Sequence, residues 1–311
     1  MSVLFIQKQQ FPYLPGDGGV SRGLAETPFY RGCRACHRVY EGGWRMKGKF
    51  RFEENYVYKM PVHFSGHPFF PVRTTHGDMT AIQVQFETDE DVLLQYLPGD
   101  FELLEPKVTV QFVNFRDVEW MSNGEYRLIQ VSVPVRYEGN EEGLVGVYPL
   151  VIWENKACPI LGGREEDGMP KVFADVASER HVGDHWFTAA SYECCTFIKM
   201  HFWRKEELDE KAVSRMNEKV VTNNFGWRYL PALGKGGASL SQATLYPQES
   251  MVTKAWKGDG CVEWTELTAE EHPLQYRAIT CLANLPVLKY SYAMMLKGSA
   301  RLNVGDSRVL P

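Results

Sequence analysis

The chain lacks the features that would place it in several large functional classes. None of its stretches approaches the roughly 18 to 20 apolar residues of a membrane-spanning helix. The opening segment, Met1 to Gly19, holds a four-residue apolar run and has no secretory pattern. Basic residues are not in excess: 34 Lys and Arg face 39 Asp and Glu, for a net charge of −5, so no basic stripe for nucleic acid is expected. There is no P-loop, no G-x-G-x-x-G and no G-x-S-x-G elbow, so no nucleotide or other cofactor is implied. Seven cysteines form no regular framework and read as reduced thiols of a cytoplasmic protein. Cys33, Cys36 and His37 form C-x-x-C-H, but no second Cys pair stands at zinc-ribbon spacing. His63/His67 and His181/His185 are four apart in Gly/Pro-broken stretches where a helix is not expected. No metal site is therefore expected.

What is present is ordinary globular material, with 44% hydrophobic and 23% charged residues in 311. Aromatics are plentiful at 13%, enough for a core and for the walls of a pocket. Residues 1–77 are rich in Gly, Pro and Arg and have poor periodicity. They read as an irregular extension with two short strands, one near Phe50 to Tyr58, that wraps the main domain or an oligomer partner. Residues 78–311 carry the clear patterning. Ile82, Val84 and Phe86 alternate with Gln83 and Gln85, as in a half-buried strand. Thr88 offers a helix cap before Val92 to Tyr96. Lys107 to Phe115, Arg127 to Tyr137, Val145 to Trp153 and Phe187 to His201 read as strands. Arg204 to Val221 reads as the longest helix, with Leu208, Ala212, Met216 and Val220 on one face. Many strands with few helices predict an α+β fold with a mostly antiparallel or mixed, barrel-like β core.

The most informative stretch is Gly162 to Val172, GGREEDGMPKV, in which one lysine follows an acidic turn and precedes apolar residues. A solvated loop lysine is the ordinary reading of such a position. A nucleophilic lysine needs a depressed pKa, because at the reference value only about one amine in 2,500 is neutral at pH 7. Burial beside Met169, Val172 and Phe173, or the nearby Arg164, are the available causes. In that reading Glu165 pairs with Arg164, while Glu166 and Asp167 face solvent.

Gly163, Arg164, Glu165, Pro170 and Lys171 resemble, with the same spacing, the segment around the Schiff-base lysine of acetoacetate decarboxylases. Leu97 to Pro106 (LPGDFELLEP), Val133 to Tyr137 (VPVRY), Asn224–Phe225, Ala255–Trp256 with Gly258, and Leu285–Pro286–Val287 follow in that family's order. The resemblance spans about residues 78 to 305. It implies a cofactor-independent lyase that acts on a small carbonyl substrate, and it implies a homo-oligomer. Lys171 would be the amine. Acid–base help would come from Glu165, Tyr126 or Tyr148, and Arg164, Gln111 and Leu128 would meet the substrate.

The departures matter as much. Val172 stands where the family has a second lysine, Gln111 where it has a glutamate, and Leu128 where it has another, with Glu125 and Gln130 close by. Met79 and Thr80 occupy the region of a family arginine, and Arg73 is the nearest substitute. The iminium alone still draws electrons from the neighbouring carbon. Aldol, retro-aldol or dehydration chemistry is therefore expected ahead of decarboxylation of a β-keto acid. A binding protein that has kept the pocket without catalysis is the third reading.

Overall fold

The computed structural model describes residues 48–69, 73–141, 143–218 and 221–311. The chain divides after His67 into a small unit and a large one that runs from Pro68 to Pro311. Tyr56–Val57 (β1) and His67–Pro68 (β2) form a two-stranded pair of their own. The cysteine–histidine cluster at 33–37 lies outside the described residues.

The large unit is mostly β. Thr74–Glu87 (β3) leads through a short helix, Glu90–Leu94 (α1), and Phe101–Leu103 (β4) into Lys107–Val118 (β5). Gly124–Tyr137 (β6) and Val145–Glu154 (β7) follow. Ala157–Glu165 (α2) precedes Lys171–Phe173 (β8), Asp175–Val176 (β9) and Arg180–Val182 (β10). His185–Tyr192 (β11), Cys195–Glu207 (β12), Glu210–Met216 (α3), Val221–Pro231 (β13) and the long Ala238–Trp264 (β14) come next. Tyr276–Ala283 (α4), Lys289–Leu302 (β15) and Arg308–Val309 (β16) complete the chain.

The pairing order β14-β13-β7-β6-β5-β3-β15 returns to β14, so seven strands form a ring, and β12, β11 and β10 extend from β14 as a flap. The ring is thinnest between β13 and β7, which meet in parallel at Asn224 and Val147. The sheet is mixed, because β8 also runs parallel to β7. Alternation along β3, β5 and β6 sends Ile82, Val84, Phe86, Val110, Phe112, Ile129 and Val131 into the main core. There they share packing with Phe197, Ile198, Met200 and Phe202 of β12 and Ile279 of α4. The opposite face of the same strands looks into the ring.

Three sequence expectations need correction. Arg204 to Val221 is not the longest helix. Arg204 to Glu207 continue β12 against Gly258 to Trp256 of β14, and α3 covers seven residues. Asp209 caps it by accepting from the Ala212 N–H at 2.8 Å, which fixes the start at Glu210, six residues later than the periodicity suggests. Among the described residues the longest helix is instead α2, within a Gly- and Pro-containing stretch that reads as a turn. Its Pro159 sits in the first turn, where no N–H is needed.

Second, Asp89 and not Thr88 caps α1, accepting from the Val92 N–H at 2.9 Å. Third, Phe187 to His201 is a hairpin and not one strand. Glu193 and Cys194 both take positive φ, 45° and 68°, and reverse the chain between Tyr192 and Cys195. Such a turn usually carries Asn or Gly, so this pair gave no signal.

Candidate functional site

Lys171 begins β8, directly after a turn that is tied down on every side. The last α-helical bond of α2 runs from the Glu166 N–H to the Gly162 carbonyl. Gly168 then adopts φ +72°, which lets the Met169 N–H return to the Gly163 carbonyl at 2.9 Å, a glycine-dependent helix stop. The Thr244 hydroxyl donates to the Asp167 carbonyl at 2.6 Å, and the Trp227 N–H donates to that of Gly168 at 3.1 Å. Pro170 accepts from the Ile152 N–H at 3.0 Å, which puts Lys171 opposite Ile152 of β7. Gly163 has a specific steric role: a Cβ there would lie 2.5 Å from Cδ and 2.6 Å from Cε of Lys171. The lysine therefore passes over a helix face that must be bare.

The Lys171 side chain is 11% exposed, and its Nζ lies 2.9 Å from Oε1 of Glu154, a fully buried carboxylate at the end of β7. The amine also donates to the Pro159 carbonyl at 3.2 Å. No described donor makes a well-directed hydrogen bond to either Glu154 oxygen. Burial accordingly raises the Glu154 pKa, and the Lys171 charge opposes the rise.

Tyr126 lies close by on β6. Its hydroxyl is 3.2 Å from Nε2 of His76, and burial raises its pKa well above the phenolic value, with the Glu154 charge adding to the rise. Burial first, and then the Lys171 charge, push His76 down to about 4, so the imidazole is neutral at pH 7.

Lys171, Glu154 and Tyr126 line one end of a cavity of about 340 Å³ inside the ring. Its lining is ordered by strand register. Met79, Phe115 and Tyr126 make one cross-strand row, and Ala81, Val113, Leu128 and Glu154 make the next. Gln83, Gln111, Gln130, Ile152 and Lys171 make a third, followed by Gln85, Thr109 and Ser132. The cavity thus changes from apolar to amide-rich along its length.

Of the residues singled out from sequence, Lys171, Tyr126, Gln111 and Leu128 line this cavity, and Gln130 joins them. Glu125 does not, since it pairs on the outside with Arg127 at 3.5 Å.

Glu165, Arg164 and Tyr148 also lie outside the lining. Arg164 is exposed at the end of α2 and donates to the backbone carbonyl of Lys171 at 3.0 Å, so it forms no pair with Glu165 and presents no guanidinium to the amine. Asp167 does not face solvent but is 6% exposed and accepts from the Ser307 hydroxyl at 2.8 Å. Tyr148 projects to the other face of β7, against Phe101 with ring centres 5.0 Å apart, where burial pushes it up to about 12.

Arg73 pairs with Asp306 at 3.4 Å and is not in the lining either. Of the apolar neighbours expected to bury Lys171, Met169 lines the cavity, whereas Val172 and Phe173 do not and Phe173 is 44% exposed. Glu154 and His76 went unread in the sequence. The one available signal for Glu154 was an acid that closes an apolar run, VIWE, on the residue parity of Ile152.

A family model described as acetoacetate decarboxylase matches residues 59–310. The chain belongs to the acetoacetate decarboxylase family. Acetoacetate decarboxylases of Burkholderia mallei and Burkholderia cenocepacia are 24% and 26% identical to it over 250 and 252 residues. Each match covers 80% of this chain and 93% of the relative. The crystal structure of acetoacetate decarboxylase from Legionella pneumophila superposes with a TM-score of 0.64 at 22% identity, covering 86% of this chain and 93% of the other. The enduracididine biosynthesis enzyme MppR complexed with pyruvate superposes with a TM-score of 0.62 at 14% identity, covering 82% and 97%. Members of this family are thus lyases, and they share the ring of strands described above. No helix among the described residues is long and apolar enough to cross a membrane.

Proposed function

We propose that the protein is a cofactor-independent lyase in which Lys171 forms a Schiff base with a small carbonyl compound. The observation that carries this reading is the buried Lys171–Glu154 pair in the cavity lining. A carboxyl group whose pKa is raised by burial can take the proton from the ammonium beside it, which leaves a nucleophilic amine. The amine attacks the carbonyl carbon to give a carbinolamine. Glu154 then returns the proton to the departing hydroxyl, and loss of water leaves the iminium. The iminium accepts the electron pair of a neighbouring C–H or C–C bond, so dehydration, aldol and retro-aldol steps are all open to it. Tyr126 stays a neutral phenol throughout, with its hydroxyl 3.2 Å from Nε2 of His76. No metal or organic cofactor enters this scheme.

Decarboxylation of a β-keto acid is the second reading, supported by the activity for which the Burkholderia relatives are named. Against it stands the position of Arg73 and Arg164, the arginines near enough in sequence to hold a substrate carboxylate in place of the absent family arginine. Arg73 and Arg164 both lie outside the cavity lining.

The test is borohydride reduction in the presence of candidate ketones, aldehydes and keto acids, followed by mass mapping. Modification confined to Lys171 supports the Schiff base. Carbon dioxide release from a β-keto acid panel would favour the second reading. Tight ligand binding without reduction at Lys171 would leave a non-catalytic binding protein.

A further inference from the structure

We propose that this cavity selects a neutral, hydrogen-bonding carbonyl compound, such as a hydroxylated or amide-bearing ketone or aldehyde, and disfavours the carboxylate of a small keto acid. The proposal rests on the Schiff-base reading for the fate of the carbonyl. The preference for a neutral ligand rests on separate observations.

Gln83, Gln111 and Gln130 stand directly opposite one another on β3, β5 and β6, in the same cross-strand row as Lys171. None of the three amides bonds to another described residue, so each offers two donors and an acceptor to whatever fills the cavity. In the next row Gln85 donates to Thr109 at 3.1 Å, which continues the polar wall.

The charge balance points the same way. Among the described residues, Lys171 is the sole cation in the lining, and Glu154 at 2.9 Å already neutralises it. The other charged lining residue is Glu249, also an acid, which is held by Asn303 at 2.9 Å and faces Arg301 at 3.7 Å. A carboxylate entering here would give up its water, find the one lining cation already paired with Glu154, and meet a second acid in Glu249. An amide or hydroxyl would trade water for glutamine hydrogen bonds at little cost. The volume, about 340 Å³, lies at the small end of ordinary ligand sites, which suits a compact polar molecule.

Two matched pairs of probes test this on the full chain. Acetoacetamide and acetoacetate differ in charge and can both be reduced onto Lys171. 3-Hydroxybutyramide and 3-hydroxybutyrate differ in the same way but carry no ketone or aldehyde group, so their binding by calorimetry does not depend on imine formation. In each pair the amide should bind or half-saturate at a concentration about tenfold below that of the anion at pH 7. Gln130→Leu should raise the amide's half-saturation about fivefold, and Gln111→Arg should reverse the order of amide and anion.

If the hydroxyamide binds in preference but nothing is reduced onto Lys171, the ligand class stands and the Schiff-base reading fails. If Lys171 is reduced while the anions bind as well as or better than the amides, the ligand class is overturned. Failure of 3-hydroxybutyramide to bind at all would overturn it as well.

Discussion

The two ends of the cavity are built from the same strands but hold their polar groups in opposite ways. At the lysine end, single ionisable groups are buried among Met79, Val113, Phe115, Leu128 and Met169, and each has one near partner. From the row that holds Lys171 onward, neutral amides and hydroxyls stand in register, and Gln83, Gln111 and Gln130 leave their hydrogen-bonding capacity open. The first arrangement stores electrostatic free energy, because removing one member strands the other in a poor dielectric. The second stores little, because water satisfies whatever a ligand does not. Reactivity and recognition can therefore be separated by mutation, and substitutions at the lysine end should be the more damaging.

The largest effect is expected at Lys171. Lys171→Ala should abolish turnover, and Lys171→Arg should not restore it, because a guanidinium stays protonated and forms no imine. Steady-state assay of the purified variants with any substrate found by trapping checks this. Near wild-type turnover by Lys171→Ala would end the Schiff-base reading.

Gly163→Ala comes next and separates position from presence. The new methyl would overlap Cδ and Cε of the lysine, the movable end of a flexible chain, so the fold should survive while the amine leaves Glu154. Borohydride labelling of Lys171 should fall at least tenfold with little loss of thermal stability.

Glu154→Gln should cost about a hundredfold in kcat, the usual scale for a proton-transferring group. The amide cannot take the ammonium proton, so the variant's rate should rise with pH across the range where wild type is flat. A pH–rate profile with the same shape as wild type would show that Glu154 only holds the lysine in place.

How much of this division was legible in the sequence follows from what each part depends on. The strands of the wall were read correctly because alternation is local: Ile82, Val84 and Phe86 mark one face whatever the rest of the chain does. From alternation alone, however, Gln83 and Gln85 look like a solvent face. They line a cavity because β15 returns to pair with β14, a closure set by residues more than 150 positions away. Lys171 was legible through its motif. Glu154 was not, since its role depends on the parallel register between β7 and β8. Arg164 and Glu165 fall elsewhere than expected because they end a helix, α2, in a stretch whose Gly and Pro content signals a turn. Helical geometry turns both away from the cavity, while a turn would have left them free to face it.

His76 lies behind Tyr126 and carries a prediction about stability. Its folded pKa is depressed, about 4 against 6.5, chiefly by burial and then by the Lys171 charge. A neutral buried imidazole contributes fully above 6.5. The contribution is lost as pH falls toward 4, because the unfolded chain takes up the proton first. The loss over that interval is about 3 kcal/mol. Urea titrations at pH 7, 5.5 and 4.5 should show His76→Phe losing correspondingly less than wild type over the same range. Parallel curves would mean that the imidazole stays exposed to protons in the folded state.

The smallest effect should be that of Tyr126→Phe, and its size decides how far the reactive end extends. The phenol is fully buried, cannot ionise near neutrality, and faces His76 at 3.2 Å. If it only anchors that imidazole, removing the hydroxyl leaves Nε2 without a partner and costs about 1 to 2 kcal/mol of stability. Turnover should then fall by no more than a few-fold, with KM and kcat both slightly affected. If the hydroxyl also donates to the carbinolamine or to the departing group, kcat should fall by a hundredfold or more while KM holds. The geometry favours the first outcome, because the one phenolic proton is already within reach of a neutral imidazole acceptor. Measuring kcat, KM and the urea midpoint on the same variant separates the two cases. The His76→Phe/Tyr126→Phe double variant then gives the coupling energy, which should account for most of the single-variant stability loss if the pair acts as one unit.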